Sequence, residues 1–210
     1  MSKRYKVLQD HYESCLTKFG PNEKGMDWPN AIDLEKRFRA LTPFLNERLS
    51  DNVHLLDLGC GVGLLLKYLK DNSQFEKIVY TGLDISEQMI QNAKEIQPEA
   101  KFIVKDILED KLVENSYDYI VMNGLFTEKR EMSQLEMISF FEDMIFEAYK
   151  AARVGISFNL MSSHVDWKRD DLFHVELDFL VAFLIKNFSR RITINMDYGL
   201  YEYAVTLKKS

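Results

Sequence analysis

The sequence predicts an α/β protein with a doubly wound, mostly parallel sheet of about seven strands and a C-terminal antiparallel hairpin. Three observations support this fold class. From residue 53 onward, near-continuous apolar strands alternate with helical segments, as in parallel sheets that are covered on both faces. The first strand ends in a glycine-rich turn at 59–63. Only four residues, 197–200, separate the last two strands, which is too few for a parallel crossover.

The N-terminal residues have a helical pattern. An apolar stripe recurs there at spacings of three to four residues, at Tyr5, Leu8, Tyr12 and Leu16. Gly20 begins a break, and a second helix is predicted over 32–41. Thr42 followed by Pro43 is typical of an N-cap and a first helical position, so a further helix is predicted to begin there.

The region after residue 53 divides into elements by its periodicity and its turn residues. Strands are predicted at 53–58, 77–84, 101–104, 117–123, 154–160, 191–196 and 201–207. Helices are predicted at 64–69, 86–93, 134–151 and 175–188. The second of these helices begins at Ser86, whose hydroxyl can accept a hydrogen bond from a free backbone N–H.

Composition limits the classes of function. Hydrophobic residues make up 46% and charged residues 29% of the 210, as in an ordinary globular protein. The net charge of −6 argues against a nucleic-acid partner, because such proteins present basic surfaces to phosphates. No apolar run approaches the roughly 20 residues that span a bilayer, and the first residues lack a signal-peptide pattern. Cys15 and Cys60 indicate neither a disulfide framework nor a metal site. We therefore expect a cytoplasmic protein without a metal or membrane partner.

The segment 56–63, Leu-Asp-Leu-Gly-Cys-Gly-Val-Gly, carries the strongest functional signal. Glycines between a strand and a helix let a ligand approach the backbone closely, since no Cβ intervenes. Asp84 ends the next strand, 21 positions beyond Gly63 (84 − 63), where a carboxylate can accept hydrogen bonds from both ribose hydroxyls. The sequence therefore predicts a nucleoside site at the carboxyl ends of the strands.

The spacing of the glycines distinguishes two classes of cofactor. A dinucleotide fingerprint, Gly-x-Gly-x-x-Gly, would place its third glycine at position 64, which is leucine. The observed pattern is Gly-x-Gly-x-Gly, with Asp57 two residues ahead of it. It resembles the first motif of the class I S-adenosylmethionine-dependent methyltransferases, a family with a Rossmann-like fold, and the resemblance extends over residues 53–160.

Four further landmarks carry this resemblance in the family's order. Asp84 matches the ribose-binding acid, and Asp106-Ile107 matches the pair at the adenine ring. Asn123, at the end of the fourth strand, matches the residue whose carbonyl meets the methionine part, and the terminal hairpin matches the family's sheet edge. The resemblance implies S-adenosylmethionine as the cofactor. The residues it implies for the cofactor site are Asp57, Gly59, Cys60, Gly61, Gly63, Asp84, Ile85, Met89, Asp106, Ile107, Asn123, Trp28 and Arg37.

The family architecture also implies two regions. Residues 1–50 would form a helical cover over the site, and residues 51–210 the methyltransferase domain. Within the cover, the Arg37 guanidinium can pair with the methionine carboxylate in bidentate fashion. The alternative is that Arg37 solvates a helix face while Trp28 packs in the core.

The acceptor is defined less closely than the cofactor. Residues 123–126 are Asn-Gly-Leu-Phe, whereas methyltransferases that act on bases or glutamine typically have Asn/Asp-Pro-Pro-aromatic there. The missing prolines argue against such acceptors, so we expect a small molecule with a hydroxyl or amine group.

Catalytic candidates follow the fifth strand. His164 and Asp166 lie there, and His164 is a candidate general base because its ordinary pKa is near neutrality. The alternative is a loop histidine with only local hydrogen bonds. We expect the acceptor pocket between this loop and the N-terminal cover, with Tyr5, Trp28 and Phe126 also available to line it.

Two other functions stay open at this point. One is a nicotinamide-dependent oxidoreductase, which Leu64 in place of a glycine disfavours. The other is a non-catalytic nucleotide-binding protein of the same fold, which the intact glycines and acids disfavour.

Overall fold

The computed structural model describes residues 4–46, 52–71, 73 and 75–209. The helices are α1 (Lys6–Phe19), α2 (Ala31–Leu41), α3 (Leu64–Lys70), α4 (Glu87–Ile96), α5 (Gln134–Ala151) and α6 (Leu177–Asn187). The strands are β1 (Val53–Leu58), β2 (Ile78–Asp84), β3 (Lys101–Val104), β4 (Tyr117–Phe126), β5 (Ala152–Ser162), β6 (His174–Val175), β7 (Ile192–Asn195) and β8 (Glu202–Lys208). Within the described residues, no helix is both long and apolar enough to cross a membrane.

One sheet organises the molecule. Its strands run in the order β3-β2-β1-β4-β5-β8-β7, and the short β6 pairs with the end of β5. Strands β1 to β5 pair in parallel, whereas β8 pairs antiparallel with β5 and β7. This confirms the predicted parallel sheet with its antiparallel C-terminal hairpin. The strand order reverses between β1 and β4, and doubly wound sheets bind their ligands at such a point.

Each face of the sheet has its own apolar core. Successive strand residues point to opposite faces, so Leu56 and Ile120 pack on one side and Leu55 and Val121 on the other. The first pair joins the cluster with α5 and α6, and the second joins the cluster with α2, α3 and α4. Because both faces are covered, the central strands β1, β2 and β4 each contain a run of consecutive buried residues instead of a strict alternation of buried and exposed ones.

Local sequence decides where several elements begin and end. The Ser86 hydroxyl accepts a hydrogen bond from the Met89 N–H and caps α4, as predicted. Ser133 and Glu136 form a capping box at the start of α5. The helix predicted to begin at Pro43 is present as a 3₁₀ helix, but the Thr42 hydroxyl does not serve as its N-cap, because it bonds back to the Phe38 carbonyl and closes α2. A 3₁₀ turn at Pro43–Asn46 follows, and residues 47–51 lie outside the described part.

The two N-terminal helices have different surroundings. The first helix, α1, lies beside the carboxyl ends of the strands. The second, α2, packs on the sheet against β4, β5 and β8 and buries Leu34, Phe38 and Leu41 there. The sequence predicts a helical cover over residues 1–50. Within that region, α2 instead belongs to the packed α/β layer, because the sheet buries its apolar stripe.

Candidate active site

A cavity lies at the carboxyl ends of β1, β2 and β4, where the strand order reverses. Residues of the glycine turn border it, and α1 lies across it. Most of the predicted cofactor residues line this cavity, namely Asp57, Gly59, Cys60, Gly61, Asp84, Ile85, Met89, Asp106, Ile107, Asn123 and Trp28. The scattered sequence landmarks thus meet in one pocket.

The glycine turn is left-handed at three positions. Gly59, Gly61 and Gly63 have φ values of +76°, +52° and +80°, a region that residues with a Cβ rarely adopt. The N–H groups of Gly59 and Cys60 donate to the Leu83 carbonyl at 2.7 and 3.0 Å, which ties the turn to β2. Gly63 opens α3 and faces Phe102, outside the cavity wall. The backbone of β2 therefore sets the shape of the turn.

Asp84 joins the glycine turn to α4. Its Oδ2 accepts a hydrogen bond from the Gly61 N–H, and its Oδ1 accepts one from the Ser86 N–H, both at 2.9 Å. Burial raises the pKa of Asp84, while these backbone hydrogen bonds lower it. A carboxylate oxygen can accept more than one hydrogen bond, so the group can also receive ligand hydroxyls.

Asp57 lies beneath the turn as a second buried carboxyl group. It accepts a hydrogen bond from the Tyr80 hydroxyl at 2.7 Å. Burial raises the pKa of Asp57 to about 7, the Tyr80 hydrogen bond lowers it, and the charge of Asp84 raises it further. The charge of Asp57 therefore changes near neutral pH and responds to any cation that binds beside it.

Asp106 and α1 meet at the β3 side of the cavity. The Tyr5 hydroxyl donates to Asp106 Oδ2 at 2.8 Å, and the Leu108 N–H donates to Oδ1 at 3.0 Å. The Tyr5 ring stacks on Phe140, with ring centroids 5.3 Å apart. The carboxylate therefore stands at the rim of an apolar slot whose walls also include Ile107.

The end of β4 forms the other side of the cavity. Among the described residues, the buried Oδ1 of Asn123 has no hydrogen-bond partner. Gly124 has φ +84°, and a Cβ built on it would lie 2.7 Å from the Trp28 ring. A buried acceptor without a donor costs free energy unless a ligand supplies one. The ammonium of a methionine moiety is a donor of this kind, so the site fits the expected cofactor.

Arg37 has a different environment from either of those expected. It is 7% exposed, so it does not solvate a helix face. Its Nε donates to Glu202 Oε1 at 2.9 Å, and its guanidinium lies 4.2 Å from the Trp28 ring centroid. Because Glu202 already binds the guanidinium, Arg37 stands behind the cavity wall, and Trp28 lies between Arg37 and the cavity.

Of the residues expected around the acceptor, Tyr5 and Trp28 line the cavity, whereas His164, Asp166 and Phe126 lie away from it. His164 Nδ1 is 3.3 Å from the Tyr203 hydroxyl, and Asp166 accepts a hydrogen bond from the Tyr201 hydroxyl at 2.7 Å. Both sites are beside β8 because β5 continues to Ser162 before the chain turns. Phe126 is fully buried among core aromatics and faces α5.

Several cavity residues were missed by the sequence analysis. Leu8, Gln9 and Tyr12 of α1 line the cavity, as does Met26, whose Sδ would lie 2.5 Å from a Cβ built on Gly61. The apolar stripe predicted α1 and its buried face. Periodicity does not show which part of the protein that face meets.

An ion cluster holds α1 to the loop after β4. Arg130 Nη2 lies 2.9 Å from Asp27 Oδ2, and His11 Nε2 lies 2.7 Å from the same oxygen. The hydrogen bond with His11 lowers the pKa of Asp27, although burial opposes this. Cys15 Sγ is 3.8 Å from His11 Nε2. Arg130 already contacts both His11 and Asp27, so its guanidinium supplies the positive charge of this cluster.

The charge of the cavity wall selects among ligands. Asp57, Asp84 and Asp106 contribute three carboxyl groups, and Lys105 is the one basic side chain among the described lining residues. Lys105 Nζ lies 2.9 Å from Asp110, which partly neutralises it. Such a wall attracts a sulfonium and an ammonium group and repels a pyrophosphate.

Comparison with known proteins identifies the family. A family model described as "Methyltransferase domain" matches residues 49–165, more than half of the chain. "Putative methyltransferase Rv1506c" of Mycobacterium tuberculosis is 31% identical over 166 residues, which covers 77% of this chain and 96% of that protein. The chain therefore belongs to the methyltransferase family.

Solved structures share the fold. Magnesium protoporphyrin IX methyltransferase from Synechocystis PCC 6803 with bound S-adenosylmethionine matches with a TM-score of 0.68 and 15% identity, covering 98% of this chain and 97% of that one. A methyltransferase from Leishmania major matches with a TM-score of 0.67 and 15% identity, covering 98% and 82%. The predicted Rossmann-like fold is confirmed. With the family match, so is the expected class, an S-adenosylmethionine-dependent class I methyltransferase.

Proposed function

We propose that this methyltransferase modifies a hydroxyl or amine group of a small molecule in the cytoplasm. The observation that carries the proposal is the covered, carboxylate-lined cavity, across which α1 and its N-cap residue place Leu8, Tyr12 and Tyr5. A nucleic-acid acceptor would favour an open basic groove, whereas this wall is acidic and the chain has a net charge of −6. A covered cavity with few polar groups suits a ligand that becomes largely buried.

In this proposal the cofactor spans the cavity from β3 to β4. Asp84 binds the ribose hydroxyls, and Asp106 with the Ile107 N–H binds the adenine edge. The other proposed cofactor contacts come from the glycine turn and its neighbours, namely Asp57, Gly59, Cys60, Gly61, Ile85, Met89, Asn123 and Trp28. Gly63 and Arg37 support the site from outside its wall.

The chain aligns the reactants rather than activating them. The cofactor supplies a methyl group that its positively charged sulfur already activates, so positioning accounts for much of the rate. Tyr12 lines the cavity beside the end of β4, where its hydroxyl donates to the Gly124 carbonyl at 3.3 Å. Burial raises the pKa of Tyr12 above its ordinary value, so the hydroxyl stays protonated and acts as a hydrogen-bond donor. His164 and Asp166 stand outside this arrangement, bound to Tyr203 and Tyr201.

The two alternative functions stand differently. Membership of the methyltransferase family overturns the nicotinamide-dependent oxidoreductase. The alternative that remains is a protein of the same fold that binds the cofactor without turnover. The buried Oδ1 of Asn123 has no hydrogen-bond partner among the described residues and can accept a hydrogen bond from a ligand, which favours an intact site.

Binding and turnover test the proposal in sequence. Calorimetric titration should detect S-adenosylhomocysteine but not NADH. Turnover should then be measured on a panel of small hydroxyl and amine compounds, with a tetrapyrrole included because one fold neighbour is named for magnesium protoporphyrin IX. Asp84→Ala should lower turnover about ten- to a hundredfold when the cofactor is limiting, whereas Asp10→Ala, at an exposed carboxylate of α1, should not. Binding of S-adenosylhomocysteine with transfer only to nucleic acid or protein would contradict the small-molecule acceptor.

A further inference from the structure

A buried polar network lies directly behind the cavity. Arg37 of α2, Glu202 of β8 and Asn159 of β5 are 7%, 3% and 0% exposed. The Arg37 Nε donates to both carboxylate oxygens of Glu202, at 2.9 and 3.2 Å, and its Nη2 contacts Oε1 as well. The Asn159 Nδ2 donates to Glu202 Oε2 at 2.8 Å. The Tyr198 hydroxyl also donates to Oε2, at 3.5 Å, so Glu202 joins side chains from three separate parts of the chain.

Such a network is costly for a core to maintain. Burial removes both charges from water, and well-packed apolar residues often stabilise a core at least as well as a buried ion pair. Arg37 Nη1 is also buried without a hydrogen-bond partner among the described residues. Packing alone therefore gives no reason for placing an ion pair at this point.

Two ends of the network reach the cavity wall. The Asn159 Oδ1 accepts a hydrogen bond from the Gly124 N–H at 2.8 Å. The Arg37 guanidinium lies over the Trp28 ring, with its Cζ 4.2 Å from the ring centroid. The same ring packs against Gly124. Trp28 and Gly124 both line the cavity, beside Asn123. The network thus contacts the cavity wall at two places. Asn159 holds the end of β4 by a hydrogen bond, and Arg37 holds the Trp28 indole by a cation–π contact.

We infer that Arg37, Glu202 and Asn159 are positioning residues that hold Trp28 and the end of β4 against the methionine part of the cofactor. The inference rests on the proposed function, which places that part of the cofactor beside Asn123. The nucleoside part is held by separate groups, since Asp84 bonds to the glycine turn and to Ser86 instead. Loss of the network should therefore affect one half of the ligand selectively.

Two ligands distinguish contacts to the methionine part of the cofactor from contacts to its nucleoside part. S-adenosylhomocysteine carries the amino and carboxylate groups, whereas 5′-methylthioadenosine retains the nucleoside and the thioether sulfur but lacks both groups. Glu202→Gln keeps the shape of the side chain and removes the charge that holds Arg37. Its Kd for S-adenosylhomocysteine should rise about tenfold or more, while its Kd for 5′-methylthioadenosine should stay within about twofold.

Tryptophan fluorescence, measured where the variant is fully folded, gives a second readout that reports the surroundings of Trp28 directly. The chain has two tryptophans, and Trp167 is 73% exposed, so Trp167→Phe leaves Trp28 as the reporter. In this background, S-adenosylhomocysteine should change the Trp28 emission. Adding Glu202→Gln should shift the emission of the free protein, because Arg37 is no longer fixed over the ring.

A matched control lies on the same pair of strands. Thr206→Val removes the contact between the Ser157 and Thr206 hydroxyls, which are 3.1 Å apart across β5 and β8. This contact is two residues along each strand from the Asn159–Ala204 pair. We expect Thr206→Val to leave both affinities near those of the unmodified protein.

Asn159→Ser provides a second test if Glu202→Gln does not fold, because it leaves the Arg37–Glu202 pair in place. It should also weaken S-adenosylhomocysteine selectively. Equal losses for both ligands, or no loss in a folded variant, would overturn the inference. Failure of the unmodified protein to bind S-adenosylhomocysteine would instead overturn the proposed function.

Discussion

Replacing Asp84 with alanine tests the proposed ribose contact. The carboxylate proposed to bind the ribose also accepts hydrogen bonds from the protein backbone. The carboxylate accepts hydrogen bonds from the Gly61 and Ser86 N–H groups, both at 2.9 Å. Under the proposal, its remaining lone pairs receive the ribose hydroxyls. Asp84→Ala therefore removes the ligand contacts and also leaves two backbone donors without their acceptor.

The expected magnitudes follow from these contacts. A hydrogen bond to a charged group contributes ~1.5–3 kcal/mol, so affinity should fall about ten- to a hundredfold. The two backbone donors lower the free energy of unfolding when they lose their acceptor, each by ~1–3 kcal/mol if it stays buried. The loss should be smaller than their sum, because burial raises the pKa of Asp84 and thus indicates that its charge is costly to bury.

Calorimetric titration with S-adenosylhomocysteine measures the first effect, and urea denaturation measures the second. Asp10→Ala is the matched control, because Asp10 is an exposed carboxylate on α1. A folded Asp84→Ala protein with unchanged affinity would remove Asp84 from the ribose and refute the placement of the nucleoside.

Three further predictions address the turn, pH and the candidate base. Gly61→Val should abolish cofactor binding and leave most secondary structure intact, because the residue has φ +52° and a Cβ would lie 2.5 Å from Met26 Sδ; a normal titration would contradict this. From pH 6 to 8 the affinity for S-adenosylmethionine should rise by up to about tenfold, because Asp57, with a pKa of about 7, becomes negative and attracts the cationic ligand. Asp57→Asn should flatten this profile, and a flat profile in the unmodified protein would place Asp57 away from the ligand's charge. His164→Ala should leave cofactor affinity and turnover within about twofold, since His164 lies with Tyr203; a rate loss of about 10²-fold at normal affinity would restore it as the base.

The same pKa of Asp57 affects stability in a defined direction. In the unfolded chain the carboxyl group ionises near pH 4, whereas in the folded protein it stays protonated up to about pH 7. The folded state therefore binds more protons between these values, and the contribution of Asp57 to stability decreases as pH rises through that window. Urea denaturation of Asp57→Asn across this range should show a weaker decline.

Much of the fold could be predicted because its signals are local. The βαβ pattern predicted the parallel strands, and the four residues at 197–200 predicted the antiparallel pairing of β7 with β8. The two-residue strand β6 is too short for any periodicity to indicate. The position of α2 was equally hidden, because an apolar stripe shows which face is buried but not against which element.

The cofactor side of the site was more predictable than the acceptor side. Asp84 and Asp106 follow strand ends, and the carboxyl ends of parallel strands meet at one edge of the sheet. Arg37 depends on Glu202, which is 165 residues later, so no local pattern links the two. His164 also follows a strand, but β5 runs on to Ser162, which places the histidine beside Tyr203 instead.

The position of β8 has a consequence for biosynthesis. β8 follows β7 in the chain but lies between β5 and β7 in the sheet. Translation proceeds from the amino end, so β5 keeps an uncovered edge until residues 202–208 emerge from the ribosome. An apolar strand with a free edge is a template for pairing with other chains. During the same interval Arg37 has no Glu202 to pair with. Mutations that disrupt β8 should therefore yield aggregated nascent chains rather than a slow enzyme.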